Sequence, residues 1–150
     1  MILNRQKKRK IDTKRAAVSL RRILNHLGCR GGEVNVVYID DEKIRKYNRE
    51  YLGRNKPTNV ISFSMAEGEF GNLDAQVLGD ILISVESAER DAADFSFELH
   101  EMLDYLMIHG VLHLLGYHHE SDVESAKKML EKERELFFLL YGYQIDSLSP

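Results

Sequence analysis

Hydrophobic positions in the first third of the chain recur with two different periods, and each period predicts one kind of element. Residues 2–6 are expected to form a short strand. Apolar residues three or four positions apart then predict a helix that Asp12 or Thr13 caps. The β-branched run 34–39, bounded by glycines and aspartates, predicts a strand.

A second helix and a further strand are predicted next. Ile44, Tyr47 and Tyr51 share one face of that helix, and Gly53 is placed to end it. The apolar run 60–65 predicts the strand.

The later part of the chain is predicted to be mainly helical. Residues 66–76 are expected to form a loop, and 77–85 a strand with Gly79 and Asp80 in its interior. These two residue types are unfavourable inside a strand unless a bulge or a site requires them. Helical periodicity then predicts three helices, over residues 85–95, 97–115 and 122–141.

The order of these elements predicts the fold class. Strands and helices do not alternate regularly, which argues against a doubly wound fold. We expect residues 1–150 to form a single α+β domain, a small mixed β-sheet with helices packed on it. Helix 97–115 is apolar on almost every side between Met102 and Leu115, so it should be buried at the centre. On the last helix, Met129 is assigned to the core and Glu133 to the surface.

Composition indicates an ordinary globular protein. Hydrophobic residues make up 43% of the chain and charged residues 30%. We expect no membrane span and no secretory signal, because no apolar run is long enough for either. The single Cys29 cannot form an internal disulfide and fits a reducing compartment, so a cytoplasmic location is expected.

Charge is distributed unevenly along the sequence. Residues 1–56 hold sixteen of the 21 Lys and Arg residues and six acidic residues, whereas residues 57–150 hold five basic and eighteen acidic ones. This asymmetry is typical of a protein with one face that meets a polyanion. The alternative is that the basic residues only solvate the outer faces of two helices.

Three histidines form the strongest chemical pattern. His109 and His113 are four apart on the predicted central helix, so both imidazoles project from one face and can reach one metal ion. Gly116 can end the helix and bring His119 to a third position. Three imidazoles leave a fourth site open, the arrangement of catalytic zinc, so we expect one Zn²⁺ ion. His119 is preferred over His118 as the third ligand, with His118 either behind a ligand or at the mouth of the site.

The same spacing occurs in metzincin proteases, which carry Glu directly after the first histidine as general base. Here that position is Gly110, which has no side chain to accept a proton. A metalloprotease is therefore the less favoured enzyme class.

Three sequence blocks together resemble one family. The blocks are HGVLHLLGYHH at 109–119, YNREY at 47–51 leading into KPTNVISF at 56–63, and LGDI at 78–81. In their order and spacing they resemble the YbeY-type endoribonucleases, also described as rRNA maturation factors. The resemblance covers roughly residues 33–142.

The resemblance implies a zinc-dependent, single-strand-specific endoribonuclease that matures the 3′ end of 16S rRNA and takes part in ribosome quality control. It implies single-stranded RNA and the small ribosomal subunit as partners, with no DNA. Residues His109, His113 and His119 match the family's metal ligands.

Two positions depart from the family pattern. His118 stands where the family usually has Asp, and we assign His118 a catalytic role at the mouth of the site. Leu52 stands where many members have Arg, and Arg54 could supply that cation from another backbone position. These departures keep open a non-catalytic factor, in which zinc stabilises the fold and the basic face binds rRNA.

Other residues are assigned to RNA contact or ligand support. Arg54 or Lys56 would stabilise charge on the phosphoryl oxygens, Arg by bidentate contact. Thr58 and Asn59 would contact phosphate, with hydrogen bonding within a turn as the alternative. Asp80 is a candidate acceptor for a ligand histidine, or a residue that shapes the end of its strand.

Overall fold

The computed structural model describes residues 1–65, 77–118 and 122–145 of the chain. The expected loop at 66–76 lies outside them. In chain order the elements are β1 (Ile2–Asn4), α1 (Thr13–His26), β2 (Glu33–Ile39), α2 (Asp41–Leu52), β3 (Val60–Ser64), β4 (Val77–Ser84), α3 (Val85–Asp94), α4 (Leu99–Leu114) and α5 (Val123–Tyr141). The expected elements are all present, with ends shifted by one or two residues.

The four strands form one mixed sheet in the order β1-β2-β4-β3. β2 runs parallel to both β1 and β4, whereas β3 runs antiparallel to β4 at the edge of the sheet. The predicted α+β class with a small mixed sheet is therefore confirmed. Among the described residues, each helix is too short or too polar to cross a bilayer.

The two faces of the sheet are covered unequally. On one face, Val34, Val36 and Tyr38 of β2 point into the main core, to which α1, α3, α4 and α5 all contribute. On the other face, a small cluster of four buried residues lies between the sheet and α2. Its members are Ile39, Ile44, Ile61 and Leu82.

The central helix α4 is buried as predicted. From Met102 to Val111 every residue except His109 is buried. Close packing depends on Gly110, because a Cβ atom there would lie 2.8 Å from Cγ2 of Ile81, itself fully buried on β4. A glycine in the helix interior costs up to about 1 kcal/mol in propensity, and here it lets the helix approach the sheet.

The strand β4 contains a bulge, one of the two explanations that its sequence leaves open. Glu33 pairs with Val77 but Val34 pairs with Gly79, so Leu78 is the extra residue. Gly79 has a φ of 148°, and a Cβ atom on it would lie 2.2 Å from the Phe63 carbonyl oxygen. Both facts require glycine at this position.

The helix α2 ends at Gly53, as predicted, and Asp40 caps its N-terminus. The Asp40 side chain accepts a hydrogen bond from the Lys43 backbone N–H, and Gly53 ends the helix with a φ of 70°. The expected apolar face is only partly buried, since Ile44 is inaccessible whereas Tyr47 and Tyr51 are 40% and 62% exposed. The two tyrosines stack on each other instead of packing into the core.

Candidate active site

Two histidines converge near the C-terminal end of α4. The Nε2 atoms of His109 and His113 lie 3.0 Å apart, and their ring centroids are 4.5 Å apart. The spacing of four residues on a helix brings the rings to one face, as expected. Convergence of two imidazole nitrogens is an arrangement that suits a shared metal ion.

Both rings border a cavity of about 260 Å³ between α4 and the edge strand β3. Ser62 and Ser64 of β3 line its opposite wall, and the Ser62 hydroxyl donates a hydrogen bond to the Gly110 carbonyl at 3.2 Å. The bond ties the strand to the helix, so the two walls have a fixed spacing. The site therefore has room for a ligand beside the histidines.

A third histidine ring stands next to the pair. The His118 ring lines the same cavity, with its centroid 6.2 Å from that of His113. His119, the preferred third ligand, lies outside the described residues, so its choice over His118 stays a prediction. Within 1–65, 77–118 and 122–145, no three His, Cys, Asp or Glu side chains form a metal-binding group.

A buried carboxylate stands behind the first histidine. Glu133 on α5 has no exposed surface, and one of its oxygens lies 3.6 Å from Nδ1 of His109. The same oxygen accepts a hydrogen bond from the Tyr105 hydroxyl. Burial, reinforced by the adjacent Glu133 carboxylate, raises the pKa of Tyr105, so its hydroxyl remains a donor.

The assignment of Glu133 to the surface is wrong. Glu133 lies four residues after Met129 and four before Phe137, both fully buried, which places it on the inward face of α5. Helical periodicity alone could have revealed this. An acidic residue was assumed to be solvated, but a carboxylate can be buried where hydrogen-bond donors face it.

The loop after α2 carries the residues assigned to RNA contact. Arg54 and Lys56 are exposed, and the Lys56 carbonyl accepts a hydrogen bond from the Asn48 side chain at 2.8 Å. The Asn59 amide donates to Asp91 on α3 at 3.1 Å, and Thr58 is partly buried. As far as the structure describes the cavity lining, none of the four assigned side chains belongs to it.

Leu52 does line the histidine cavity, at the last position of α2. It is also 55% exposed, so one side of it faces solvent. The position at which the family resemblance leads us to expect Arg is therefore next to the histidines.

Asp80 lies on the other face of the sheet. Its neighbour Ile81 contacts α4 at Gly110, and consecutive residues of a strand point to opposite faces. Asp80 accepts a hydrogen bond from the Asn35 amide at 2.9 Å and borders a groove on the far side. This placement does not favour the expected contact with a ligand histidine. The alternative role, shaping the strand, fits better.

Comparison with known sequences identifies the family. The sequence model described as Endoribonuclease YbeY matches residues 1–140. The chain belongs to the YbeY family. The motif of α4, the loop after α2 and the bulge of β4 all lie within the matched residues.

Individual relatives agree over nearly the full length. The Endoribonuclease YbeY of Syntrophus aciditrophicus is 49% identical over 146 residues, which cover 97% of this chain and 91% of the relative. That of Geobacter sulfurreducens is 46% identical over 140 residues, 93% of each chain. A Thermotoga maritima protein of known solution structure matches with a TM-score of 0.62 and 26% identity, over 95% of this chain and 90% of the other.

Proposed function

We propose that this YbeY family member is a zinc-dependent endoribonuclease that cleaves single-stranded RNA. In this proposal it acts in the cytoplasm on the 3′ end of 16S rRNA, at the small ribosomal subunit, and contributes to ribosome quality control. The observation that carries the proposal is the 3.0 Å approach of the His109 and His113 Nε2 atoms at the wall of a cavity. Relatives named endoribonuclease support the reaction class.

The donor set fits one zinc ion. Neutral imidazole nitrogens are good zinc ligands, and two of them already point to a common position. His109 and His113 would hold the ion, with His119 as the third ligand. Glu133 would stabilise the proton on Nδ1 of His109 electrostatically, which leaves the lone pair of that ring on Nε2, the atom that faces His113.

The chain's own residues would orient and protonate the substrate. When bound, zinc supplies Lewis acidity and makes water a stronger nucleophile near neutral pH. His118, at the cavity lining, is assigned to proton exchange with the reacting groups. Arg54 and Lys56, with Thr58 and Asn59, are assigned to the flanking phosphates.

An RNA cleavage assay tests the proposal. The purified chain is incubated with unstructured RNA, with and without a chelator, and bound zinc is measured in parallel. We expect cleavage that the chelator abolishes and that zinc restores. His113→Ala should lose both zinc and cleavage, whereas His100→Ala, on the same helix but exposed, should keep both. Cleavage that co-purifies with His113→Ala at the wild-type rate would contradict the proposal, because the activity would then not depend on the histidine pair.

A non-catalytic rRNA-binding factor is the second candidate. It is favoured by one observation: the apolar Leu52 lines the histidine cavity where the resemblance leads us to expect Arg. RNA binding without cleavage by fully zinc-loaded protein would support it. A metalloprotease is disfavoured because the general base would have to stand at position 110, where any side chain meets Ile81.

A further inference from the structure

The face of the sheet away from α4 is only partly covered and carries a groove of about 790 Å³. Val37 of β2 and Phe63 of β3 contribute to its floor, and Tyr47 and Tyr51 of α2 contribute to one wall. The groove is distinct from the histidine cavity, which lies on the α4 side of the sheet.

Aromatic rings form a continuous surface along this groove. Tyr47 and Tyr51 stack with centroids 6.0 Å apart and planes 17° apart, and Tyr51 meets the edge of Phe63 at 5.3 Å. Both tyrosines are substantially exposed. Exposed aromatic rings along a groove are a platform on which unpaired nucleobases stack.

Basic side chains accompany the rings. Arg5, Lys43 and Lys46 line the groove, against two acidic residues, Glu50 and Asp80. The Asp80 carboxylate accepts a hydrogen bond from the Asn35 amide. Three cations beside an aromatic platform match a phosphodiester chain with stacked bases. The sequence asymmetry agrees, because the basic residues 1–56 include β1, β2 and α2.

The groove meets the histidine cavity across one edge strand. Phe63 faces the groove, whereas its neighbours Ser62 and Ser64 line the histidine cavity. At the end of α2, Tyr51 lines the groove and the next residue, Leu52, lines the cavity. An RNA chain that passes over the edge of β3 would therefore contact both the groove and the histidine cavity.

We infer that this groove binds a single-stranded stretch of RNA beside the bond that is cleaved. The inference rests on the proposed function and extends it to substrate recognition. Paired bases are stacked on one another and cannot insert between or onto the tyrosines, so the groove selects single strands over duplex.

Binding measurements on variants of the full chain test the stacking surface. Each variant also carries His113→Ala, which prevents cleavage, and is checked for folding by circular dichroism. The probe is a labelled oligouridine of about 12 nucleotides, within the usual site size of such grooves. We expect Tyr51→Ala to weaken binding by about 5- to 140-fold, the fold-change that corresponds to the loss of one base–aromatic stack. Tyr51→Phe should retain affinity, as should Phe138→Ala, which removes an exposed ring on α5.

The salt dependence of binding tests the cations. For single strands, the slope of log affinity against log salt falls by about 0.7 for each phosphate that is no longer neutralised by a cation. Lys43→Gln with Lys46→Gln should therefore reduce the slope by about 1.4. The control pair Lys14→Gln and Lys127→Gln removes the same charge from positions elsewhere on the chain and should leave the slope unchanged.

The outcomes separate this inference from the proposed function. If the wild-type chain cleaves RNA but the groove variants bind normally, the groove is not an RNA site and its aromatic patch is better explained by a protein partner. If the chain cleaves nothing but the groove variants lose binding, the groove is an RNA-binding site and the nuclease proposal fails. Absence of any RNA binding by the wild-type chain overturns both.

Discussion

The Nδ1 atom of His109 lies 3.6 Å from a carboxylate oxygen of Glu133, a residue with no exposed surface. A buried carboxylate on the Nδ1 side of an imidazole favours the proton on that nitrogen, which leaves the lone pair of the ring on Nε2. Because Tyr105 donates to the same oxygen, the carboxylate itself has a defined position.

Glu133→Gln is expected to weaken zinc binding by about 10- to 100-fold, the usual effect of removing such a support. The neutral amide no longer stabilises positive charge at His109. Competition with a chromophoric chelator measures the affinity directly, without reference to activity.

Tyr105→Phe is the matched control, because it removes the hydroxyl that donates to the same oxygen while leaving the carboxylate in place. It should lower stability and change zinc affinity much less than Glu133→Gln. Equal zinc affinity in wild type and Glu133→Gln would show that the carboxylate has only a structural role.

Gly110→Ala should destabilise the protein although alanine is the better helix former. The new methyl group would lie 2.8 Å and 2.9 Å from two carbons of the buried Ile81. Overpacking costs about 1–3 kcal/mol, and alanine regains up to about 1 kcal/mol in helix propensity. We expect a net loss of about 1 kcal/mol in urea denaturation.

A double-mutant cycle isolates that contact. Ile81→Ala removes all three carbons that the new methyl group would meet. The double variant should therefore be more stable than the sum of the single effects predicts, by about 0.5–3 kcal/mol. Additive effects would place the cause of the glycine requirement elsewhere.

Gly79→Ala should cost more than a typical glycine substitution. Its Cβ would lie 2.2 Å from a backbone oxygen of Phe63, which cannot move without breaking the β3–β4 pairing. Strain of this kind costs about 1–3 kcal/mol before the steric clash is added. Gly28→Ala is the control, since Gly28 also has a positive φ but nothing within 4 Å of the added atom. Similar losses in the two variants would contradict the close approach.

Acid should weaken the hydrogen bonds by which Asp41 links α2 to α3. The Asp41 carboxylate accepts hydrogen bonds from the Ser84 and Ser87 hydroxyls, each at 2.6 Å, and from Arg90 at 2.8 Å. Partial burial alone would raise the pKa of Asp41, but these hydrogen bonds outweigh burial and lower that pKa.

Because the pKa of Asp41 is lowered, this carboxylate takes up a proton at a lower pH in the folded state than in the unfolded state. The stabilisation is therefore complete above the unfolded pKa of about 4 and disappears as pH falls through the folded value. Asp41→Asn should lose about 1–2 kcal/mol at pH 7, and this difference should shrink below about pH 4. Asp94→Asn, at an exposed site, should show little difference at either pH. A constant loss for Asp41→Asn would exclude the charge as its cause.

The fold was largely predictable because local signals agree with it. Asp12 caps α1 and Gly53 ends α2, as their residue types predict. The Gly79–Asp80 pair adjoins a bulge, one of the two explanations that these residue types leave open. The exposure of Tyr47 and Tyr51 was harder to predict, because helical periodicity groups apolar residues on one face without specifying what covers that face.

The site was only half predictable. The spacing of His109 and His113 fixes their convergence, because both lie on one regular helix. Whether Asp80 and Glu133 lie near these histidines depends on how separate elements pack. Asp80 lies on the face of the sheet away from α4, and Glu133 reaches His109 only after α5 docks on α4.

Leu52→Arg should raise RNA cleavage. Leu52 borders the histidine cavity and is half exposed, so a longer cationic side chain can reach a bound phosphate without entering the core. A charge-assisted hydrogen bond worth about 1.5 kcal/mol corresponds to about a tenfold rise in kcat/KM. Leu52→Gln, which is polar but carries no charge, should not produce it.

The same variant tests whether Arg54 supplies the cation that Leu52 cannot. If Arg54 contacts the phosphate from its exposed loop, Arg54→Gln should reduce cleavage by the wild-type chain. In the Leu52→Arg background the same change should have much less effect, because the phosphate then has a cation at the cavity itself. Such non-additivity is the expected sign of two residues that serve one partner. Independent, additive effects would mean that Arg54 contacts a different part of the RNA, and the departure at Leu52 would then be uncompensated.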